Sequence, residues 1–311
     1  MSETREKHEG EGIGHIIQSL GINLLIALVK AVAAFFTKSG AMLAEALHSF
    51  SDCGNQALLL LGVKQARKPP DASHPFGYGR ALYFWSFLVA LMLFVGGGVF
   101  SIYEGIHKIL EPERVEKVWL GFLILGISFA LEGAATLSNI KEINKRKGRR
   151  AFFQYLRETK DSDLVVVFGE NAAAVLGLVL AMIALGLAAL TGDGRFDGGG
   201  SIAIGVVLIL VAGFLAYEVK SLLLGEAADE TIDESARALA KEVPLFERVI
   251  HLRTTQQGAG EVLVAIKVAV SPNAVMKDVA IAIDDFEKAL RTAHPDVRWC
   301  FVEPDVYRES A

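Results

Sequence analysis

The chain has 311 residues, of which 52% are hydrophobic, and its mean hydropathy is +0.39, so its apolar residues are expected to be concentrated in membrane spans. The formal net charge of −5 argues against a nucleic-acid partner, because such a partner calls for a basic face. The two cysteines, Cys53 and Cys300, lie far apart in the sequence and exclude both a disulfide framework and a cysteine-rich metal site.

The first residues, MSETREKHEGEG, open a polar tail over residues 1–13. This tail is rich in glutamate, whereas transit peptides are poor in acidic residues and signal peptides carry an apolar stretch. We therefore expect it to be neither a cleavable signal nor a transit peptide.

Six apolar stretches follow, each long enough to cross the bilayer core as a helix of about 20 residues. Turn-forming or polar segments separate them, which disfavours the alternative that each is a buried helix of a large globular core. The pattern predicts an all-α membrane domain of six helices over residues 14–226. The six stretches are Ile16–Phe36, Ala41–Leu61, Tyr83–Ile106, Val118–Ile140, Leu164–Leu190 and Ile202–Leu224.

Lysine and arginine are distributed unevenly between the loops that join these stretches. The loops after the second and fourth stretches hold twelve such residues, and the loops after the first, third and fifth hold five. Because basic loops stay in the cytoplasm, this bias predicts a multi-pass protein of the cell (inner) membrane with both termini cytoplasmic.

The composition changes after Leu224, and residues 227–311 are predicted to form a cytoplasmic α+β domain. Its elements are expected in the order α-β-β-α-β, with the helices on one face of the sheet and a capping box at Thr231 and Glu234. Because a domain this small is only marginally stable alone, a dimer partner is plausible. The predicted elements are 231–243, Arg248–Thr255, Glu261–Ser271, 275–292 and Val297–Val302.

The second apolar stretch carries four polar side chains where lipid would be expected. Glu45, His48, Asp52 and Asn55 are spaced to lie on one face of a helix. His48 and Asp52 are one turn apart, close enough for an imidazole nitrogen and a carboxylate oxygen to bind one cation. A lone buried histidine is usually a core hydrogen-bonding group, but the His-x-x-x-Asp pair favours a ligand role.

Two other stretches hold polar residues that could join this pair. In the fifth, Glu170 is the natural third ligand if the two helices pack together, and Asn171 points about 100° further round the helix. In the fourth, Glu132 could pair with Lys30, or it could line the pathway as a proton carrier, as could Glu45. Both interpretations of Glu132 stay open.

Motifs of enzyme active sites are absent from the sequence. It contains no HExxH, GxSxG or P-loop, and GDGRFDGGG between two apolar stretches resembles a phosphate loop only in its glycine content and is expected to be a turn. The chain is therefore not expected to be an enzyme. A membrane enzyme with a catalytic metal at His48 and Asp52 is one alternative, and a metal sensor or scaffold that transports nothing is another.

Four segments together resemble the cation diffusion facilitator family of metal transporters, over about residues 14 to 305. They are SGAMLAEALHSFSDCGNQ, PPDASHPFGYGR, LLLGEAADE and HLRTTQQGAGEVLVAIKVAV. The resemblance implies six spans, a cytoplasmic ferredoxin-like domain, a homodimer in the lipid bilayer, and exchange of zinc against protons. His48 and Asp52 match the family's ligand pair in the second span.

The fifth span departs from the family pattern, in which a second pair would supply a histidine. Val166 and Val167 occupy the positions where that histidine would stand. The segment FGENAAAVLG is instead similar to the branch that contains the mitochondrial zinc transporter, which also shares HPFGYGR. The resulting ligand set of His48, Asp52, Glu170 and Asn171 suits zinc, but also manganese, iron(II) or cobalt.

The resemblance also suggests two peripheral sites. Asp71 and His74 match two positions of a family site in the loop after the second span, and Tyr78 stands where a histidine would be the third ligand. In the tail, possible ligands of a cytoplasmic-domain site are His251, Cys300, Glu303 and Asp305. Surface carboxylates are usually only solvated, and this alternative is favoured for the tail.

The function implied is efflux of a divalent cation, most simply zinc, by a metal/proton antiporter that works by alternating access. His48, Asp52 and Glu170 would have to lose their protons to bind the cation. Protons would then compete for the same ligands on the other side of the membrane.

Overall fold

The computed structural model describes residues 20–21, 23–159 and 162–306, without the side chains of residues 158, 162 and 163. The polar tail 1–13 and the predicted start of the first span at Ile16 lie outside this part. The described helices are α1 Asn23–Thr37, α2 Gly40–Ala66, α3 Ala81–Leu110, α4 Val118–Arg146, α5 Phe152–Glu158, α6 Ser162–Thr191, α7 Arg195–Leu224, α8 Glu230–Glu242 and α9 Met276–Ala293. The strands are β1 Arg248–Gly258, β2 Glu261–Ala269 and β3 Val297–Asp305.

Four of the described helices are long and apolar enough to cross a membrane, namely those within α3, α4, α6 and α7. α1 is a shorter apolar helix. α2 has 27 residues but is not among the four, because the polar side chains of its second and third turns and beyond lower its hydropathy. The structure thus has a largely helical membrane part, and the count of six spans stays a prediction.

α3 and α7 approach closely enough for their backbones to touch. A Cβ atom added at Gly105 would lie 2.6 Å from the carbonyl oxygen of Gly198, and one added at Gly205 would lie 2.7 Å from that of Gly98. Glycines seven residues apart on each helix therefore form the contact, as small residues do in other membrane helix pairs. α3 also contains a π-helical segment, Leu93–Val99, that includes three consecutive glycines.

The start of α2 is held by a buried carboxylate from α7. Asp197 accepts hydrogen bonds from the Ser39 hydroxyl (2.5 Å) and from the backbone amide of Gly40, and the Lys108 ammonium lies 3.6 Å away. A carboxylate at a helix N-terminus satisfies free amides and opposes the helix dipole. α7 begins at Arg195, before the predicted Ile202, so the GDGRFDGGG segment is only partly the expected turn.

The chain divides into two compact units. The first reaches Lys64 and also contains Phe84–Arg157 and Ser162–Lys220, and the second contains Gln65–Tyr83 and the chain from Ser221 onward. The site helices α1, α2, α4 and α6 belong to the first unit.

In the second unit, β1 pairs antiparallel with β2, and β2 pairs parallel with β3. The apolar positions that alternate along β2 are buried together with the apolar faces of α8 and α9, and Phe246 packs on Phe286 at 5.9 Å between ring centres. The order α-β-β-α-β predicted from these periodicities is therefore confirmed.

The capping box predicted at Thr231 is wrong. The N-cap residue of α8 is Asp229, whose carboxylate accepts the Thr231 amide at 3.0 Å and the Thr231 hydroxyl at 2.7 Å. A carboxylate is a stronger acceptor for free helix amides than a hydroxyl, so the helix begins one residue earlier, at Glu230.

Candidate metal site

The pair predicted on α2 lies together and keeps free ligand atoms. His48 Nδ1 and Asp52 Oδ1 are 3.7 Å apart, which is too long for a hydrogen bond. His48 is fully buried, and within the described part of the chain neither of its ring nitrogens nor Asp52 Oδ1 has a hydrogen-bond partner. Buried polar atoms left without partners are costly, so a cation would satisfy what the protein does not.

Glu170 of α6 is attached to the same face of α2 through Asn55. The Asn55 side-chain amide donates a hydrogen bond of 2.6 Å to Glu170 Oε1, and both residues are buried. Helical spacing places Asn55 on the ligand face but does not assign it this role. Asn171, predicted as a fourth ligand, has its backbone carbonyl bonded by the Thr136 hydroxyl at 3.3 Å.

Asp52, Glu132, Glu170 and Asn171 line one cavity of about 350 Å³, which we call the carboxylate cavity. Ser49 and Gln56 of α2 add polar atoms to its wall. A water molecule takes up about 30 Å³ of liquid, so a hydrated divalent cation fits. The cavity therefore combines size, negative charge and oxygen donors beside the buried imidazole of His48.

Among the described residues, no three His, Cys, Asp or Glu side chains are gathered closely enough to hold one metal ion. His48 and Asp52 meet, and Glu170 shares the cavity with Asp52, but the three are not brought around one point. Binding would therefore require the Asp52 or Glu170 side chain to turn, which the free volume of the cavity permits.

Lys30 of α1 is fully buried among three partners. Its ammonium lies 2.8 Å from Glu132 Oε1, 2.9 Å from Ser49 Oγ and 3.3 Å from Glu45 Oε2. The pairing of Glu132 with Lys30, left open by the sequence, is thus present, and Glu132 also lines the carboxylate cavity. We call Lys30, Glu45, Ser49 and Glu132 the Lys30 cluster.

Gly177 of α6 makes room for this cluster, and this leads to a first prediction. A Cβ atom at Gly177 would overlap Glu45 Oε1. Gly177→Ala should therefore displace Glu45 from Lys30 and lower stability by about 1–3 kcal/mol, as overpacking does. Thermal unfolding in detergent measures this effect.

Gly186→Ala on the same helix is the matched control, because its added Cβ would meet only the Phe122 ring at an ordinary 3.5 Å. An alanine there should be neutral or stabilising, since alanine favours helix over glycine by about 1 kcal/mol. Equal melting temperatures for the two variants would contradict the packing argument.

Asp71 and His74 lie in a turn whose polar groups form hydrogen bonds with one another. Tyr78 donates its hydroxyl to Asp71 Oδ2 at 2.7 Å, the His74 amide donates to Asp71 Oδ1 at 2.8 Å, and the two rings stack at 4.1 Å. The Tyr78 hydrogen bond, followed by that of the His74 amide, lowers the pKa of Asp71. Tyr78, at the position of a third ligand, thus stabilises the carboxylate directly.

The tail residues His251 and Glu303 are neighbours of one lysine in the sheet. His251 pairs with Lys267 across β1 and β2, and Lys267 pairs with Glu303 across β2 and β3. The Lys267 ammonium lies 2.9 Å from both Glu303 and Asp305, and these bonds, that of Asp305 first, raise the pKa of Lys267. A cation of the protein is therefore already bound to both carboxylates.

Removal of that cation leads to a second prediction. In an Asp52→Asn/Glu170→Gln background, Lys267→Ala should raise the zinc affinity of the sheet at least about tenfold, because it frees two carboxylates beside an imidazole. Isothermal titration of the full chain measures this, with Lys277→Ala, an exposed lysine of α9, as control. Unchanged affinity would show that His251, Glu303 and Asp305 are not arranged to bind zinc.

Cys300 is placed differently from the other tail candidates. It is buried in the core between the sheet and the helices. Burial, with a further contribution from Glu287, raises the pKa of its thiol to about 12. Because metals bind the thiolate, Cys300 contributes to packing rather than to a ligand set.

A cavity lined by three carboxylates, next to a buried imidazole and in a unit with four helices of membrane length, is a feature of a protein that handles cations within a bilayer. The model of the cation efflux transmembrane domain matches residues 16–224, and the chain belongs to this cation efflux family. The resemblance predicted above, to cation diffusion facilitators and to their mitochondrial zinc transporter branch, is confirmed.

Three similar proteins illustrate the family. The chain is 35% identical over 249 residues to "Proton-coupled zinc antiporter SLC30A9, mitochondrial" of Xenopus laevis, covering 79% of this chain and 44% of that protein. It is 26% identical to "Zinc transporter ZitB" of Escherichia coli K12, covering 82% and 77%. A MamM-CTD structure is 20% identical with a TM-score of 0.24, covering 25% and 94%, a likeness that supports no argument. The chain spans about half the length of the SLC30A9 relatives it matches.

Proposed function

We propose that the chain is a metal/proton antiporter that moves a divalent cation, with zinc as its cargo, through the carboxylate cavity. The observation that carries this proposal is the buried pair His48 and Asp52, which has unpartnered ligand atoms and whose Asp52 lines one cavity together with Glu170. Nitrogen and carboxylate oxygen are ligands of zinc in proteins. The names of the SLC30A9 and ZitB relatives support the choice of zinc.

Proton exchange follows from the chemistry of these ligands. Imidazole and carboxylates bind a metal only after losing their protons, so loading the cation releases protons and unloading it takes them up. A site exposed alternately to the two sides of the membrane would couple the two flows. His48, Asp52 and Glu170 are the groups that exchange one ion for the other in this proposal, and Asn171 and Asn55 support the cavity wall.

The same proposal includes the arrangement of the whole chain. α1 and α2 cross the membrane together with the four apolar helices, which gives six spans over residues 14–226 and cytoplasmic termini in the cell (inner) membrane. Residues 227–311 form the cytoplasmic domain, through which two chains assemble as a homodimer. Asp71, His74, Glu303 and Asp305 have side-chain partners within the protein, and neither they nor His251 hold the transported cation in this proposal.

Flux in proteoliposomes tests the proposal. Purified protein is reconstituted with a zinc-sensitive dye inside, and a pH gradient is imposed while zinc, manganese, cobalt or iron(II) is added. We expect zinc flux that follows the gradient and stops when an ionophore collapses it. Zinc flux that does not depend on the pH gradient would contradict proton exchange. Absence of flux for all four metals would favour a metal sensor or scaffold.

A further inference from the structure

A second cavity, of about 650 Å³, lies in the same unit as the carboxylate cavity. Its wall contains apolar residues of α1 together with charged residues of α3 and of the segment that precedes α4. Among the residues that the structure describes, none lines both cavities.

The positions of the wall residues along the helices separate the two cavities. α1 contributes Asn23 and Ile26 to the carboxylate cavity, which precede Lys30, and Ala31 and Ala34 to the second cavity, which follow it. The division on α1 therefore falls at Lys30.

The same division holds on α2. On α2, which returns after a short turn, Leu43 lines the second cavity and precedes Glu45, whereas Asp52 lines the carboxylate cavity and follows it. Glu132 of α4 lines the carboxylate cavity, and Lys117, the residue before α4, lines the second cavity. On α1 and α2, the change from one cavity to the other therefore falls at a member of the Lys30 cluster.

We propose that the Lys30 cluster is the closed gate between the two cavities, and that transport requires the Lys30 ammonium to leave Glu45 and Glu132. This inference rests on the proposed function, because it names the barrier that a cation must pass on its way from one cavity to the other.

Both the geometry and the charge of the cluster suit this role. One ammonium holds α1, α2 and α4 together through bonds of 2.8 to 3.3 Å. The Lys30 cluster would therefore open when these bonds break and the three helices separate. The ammonium also occupies carboxylate oxygens of Glu45 and Glu132 that a passing cation would otherwise bind. A buried ion cluster is seldom more stable than apolar packing of the same volume, so stability alone does not account for it.

Accessibility of two cysteines tests the gate without requiring transport. Ile26→Cys and Ala34→Cys place reporters four residues before and four after Lys30 on the same helix, in a Cys53→Ala/Cys300→Ala background. A membrane-impermeant thiol reagent is applied to right-side-out and to inverted vesicles. With Lys30 present, each reporter should react mainly from one face of the membrane, and the two faces should differ.

Removal of the Lys30 ammonium should open the gate between the two cavities. The minor state of a two-state protein is populated to about 0.1–10%, so Lys30→Met should raise labelling from the opposite face at least about tenfold. Lys30→Arg keeps the charge and should keep the one-sided labelling. Lys30→Met removes the ammonium from the buried carboxylate of Glu45 and the partly buried carboxylate of Glu132. The neutral variant Lys30→Met/Glu45→Gln/Glu132→Gln therefore provides a second test and should also be labelled from both faces.

One-sided labelling at the original rates in both neutral variants would overturn the gate, as would equal labelling of the two reporters from the same face when Lys30 is present. Zinc flux is measured separately on the same vesicles. If the neutral variants are labelled from both faces but the protein with Lys30 moves no zinc, the gate is supported and zinc transport is rejected. Preserved sidedness in neutral variants of an active transporter would reject the gate alone.

Discussion

Asp52→Asn and Glu170→Gln are each expected to lower zinc flux by about a hundredfold or more, while the folded protein is retained. The amides match the carboxylates in shape, so packing is preserved, but each replacement removes a negative charge and an anionic ligand from a cavity with few donors. Loss of a residue that only orients a ligand already costs about 10–100-fold in metal affinity, and loss of the ligand itself costs at least as much. Flux in the proteoliposome assay measures the effect.

Asn55→Ala and Glu111→Gln distinguish ligand loss from indirect effects. Asn55 only orients Glu170 through its 2.6 Å hydrogen bond, so its loss should cost about tenfold. Glu111, an exposed carboxylate at the end of α3, is the matched control and should leave flux unchanged. Full flux in Glu170→Gln would remove Glu170 from the site and restrict the ligands to α2.

The second large effect is expected at Asp197. Asp197→Ala should lower stability by about 3 kcal/mol, because it removes the acceptor at the start of α2 and leaves the buried Lys108 ammonium without its carboxylate. The melting temperature in detergent reports the loss. Asp193, a half-buried residue four positions earlier, accepts a local amide bond from Arg195, and Asp193→Ala should change little.

The double variant Asp197→Ala/Lys108→Met gives the sharper comparison. Removing both charges costs less than removing one, since no unpaired ion stays buried. We therefore expect part of the lost melting temperature to return. A double variant no more stable than Asp197→Ala would show that the charge of Lys108 is unimportant and that only the cap matters.

Sequence periodicity is sufficient for features that lie within one element. Spacing alone places His48 and Asp52 on one face of α2, because a helix repeats every 3.6 residues. Alternation along β2 and the helical spacing of α9 predict the order of the C-terminal elements, since each pattern marks one buried face. Site residues that lie on the same face of one helix can thus be recognised from their spacing along the chain.

Partners on different helices cannot be predicted in the same way. Asn55 faces Glu170 across 115 positions and Asp197 reaches Ser39 across 158, and no periodicity encodes which helices become neighbours. Lys30 is recognisable as one possible partner of Glu132, but its simultaneous bonds to Glu45 and Ser49 depend on the packing of three helices.

The lysine in the sheet illustrates the same limit. His251, Glu303 and Asp305 are plausible ligands as residue types, and the strand register does place His251 and Glu303 on either side of Lys267. Only the register shows that an ammonium already lies among them. The side chain that neutralises a carboxylate pair belongs to the neighbouring strand, so the sequence around Glu303 carries no sign of it.

The location of bound zinc tests the account most directly. Diffraction data collected at the zinc absorption edge from crystals of the full chain grown with zinc would show each zinc ion as an anomalous peak. The account predicts a peak within about 2.0–2.2 Å of a His48 ring nitrogen and of carboxylate oxygens of Asp52 and Glu170. Peaks found only elsewhere, such as beside His251 or Asp71, with none in the carboxylate cavity, would contradict it.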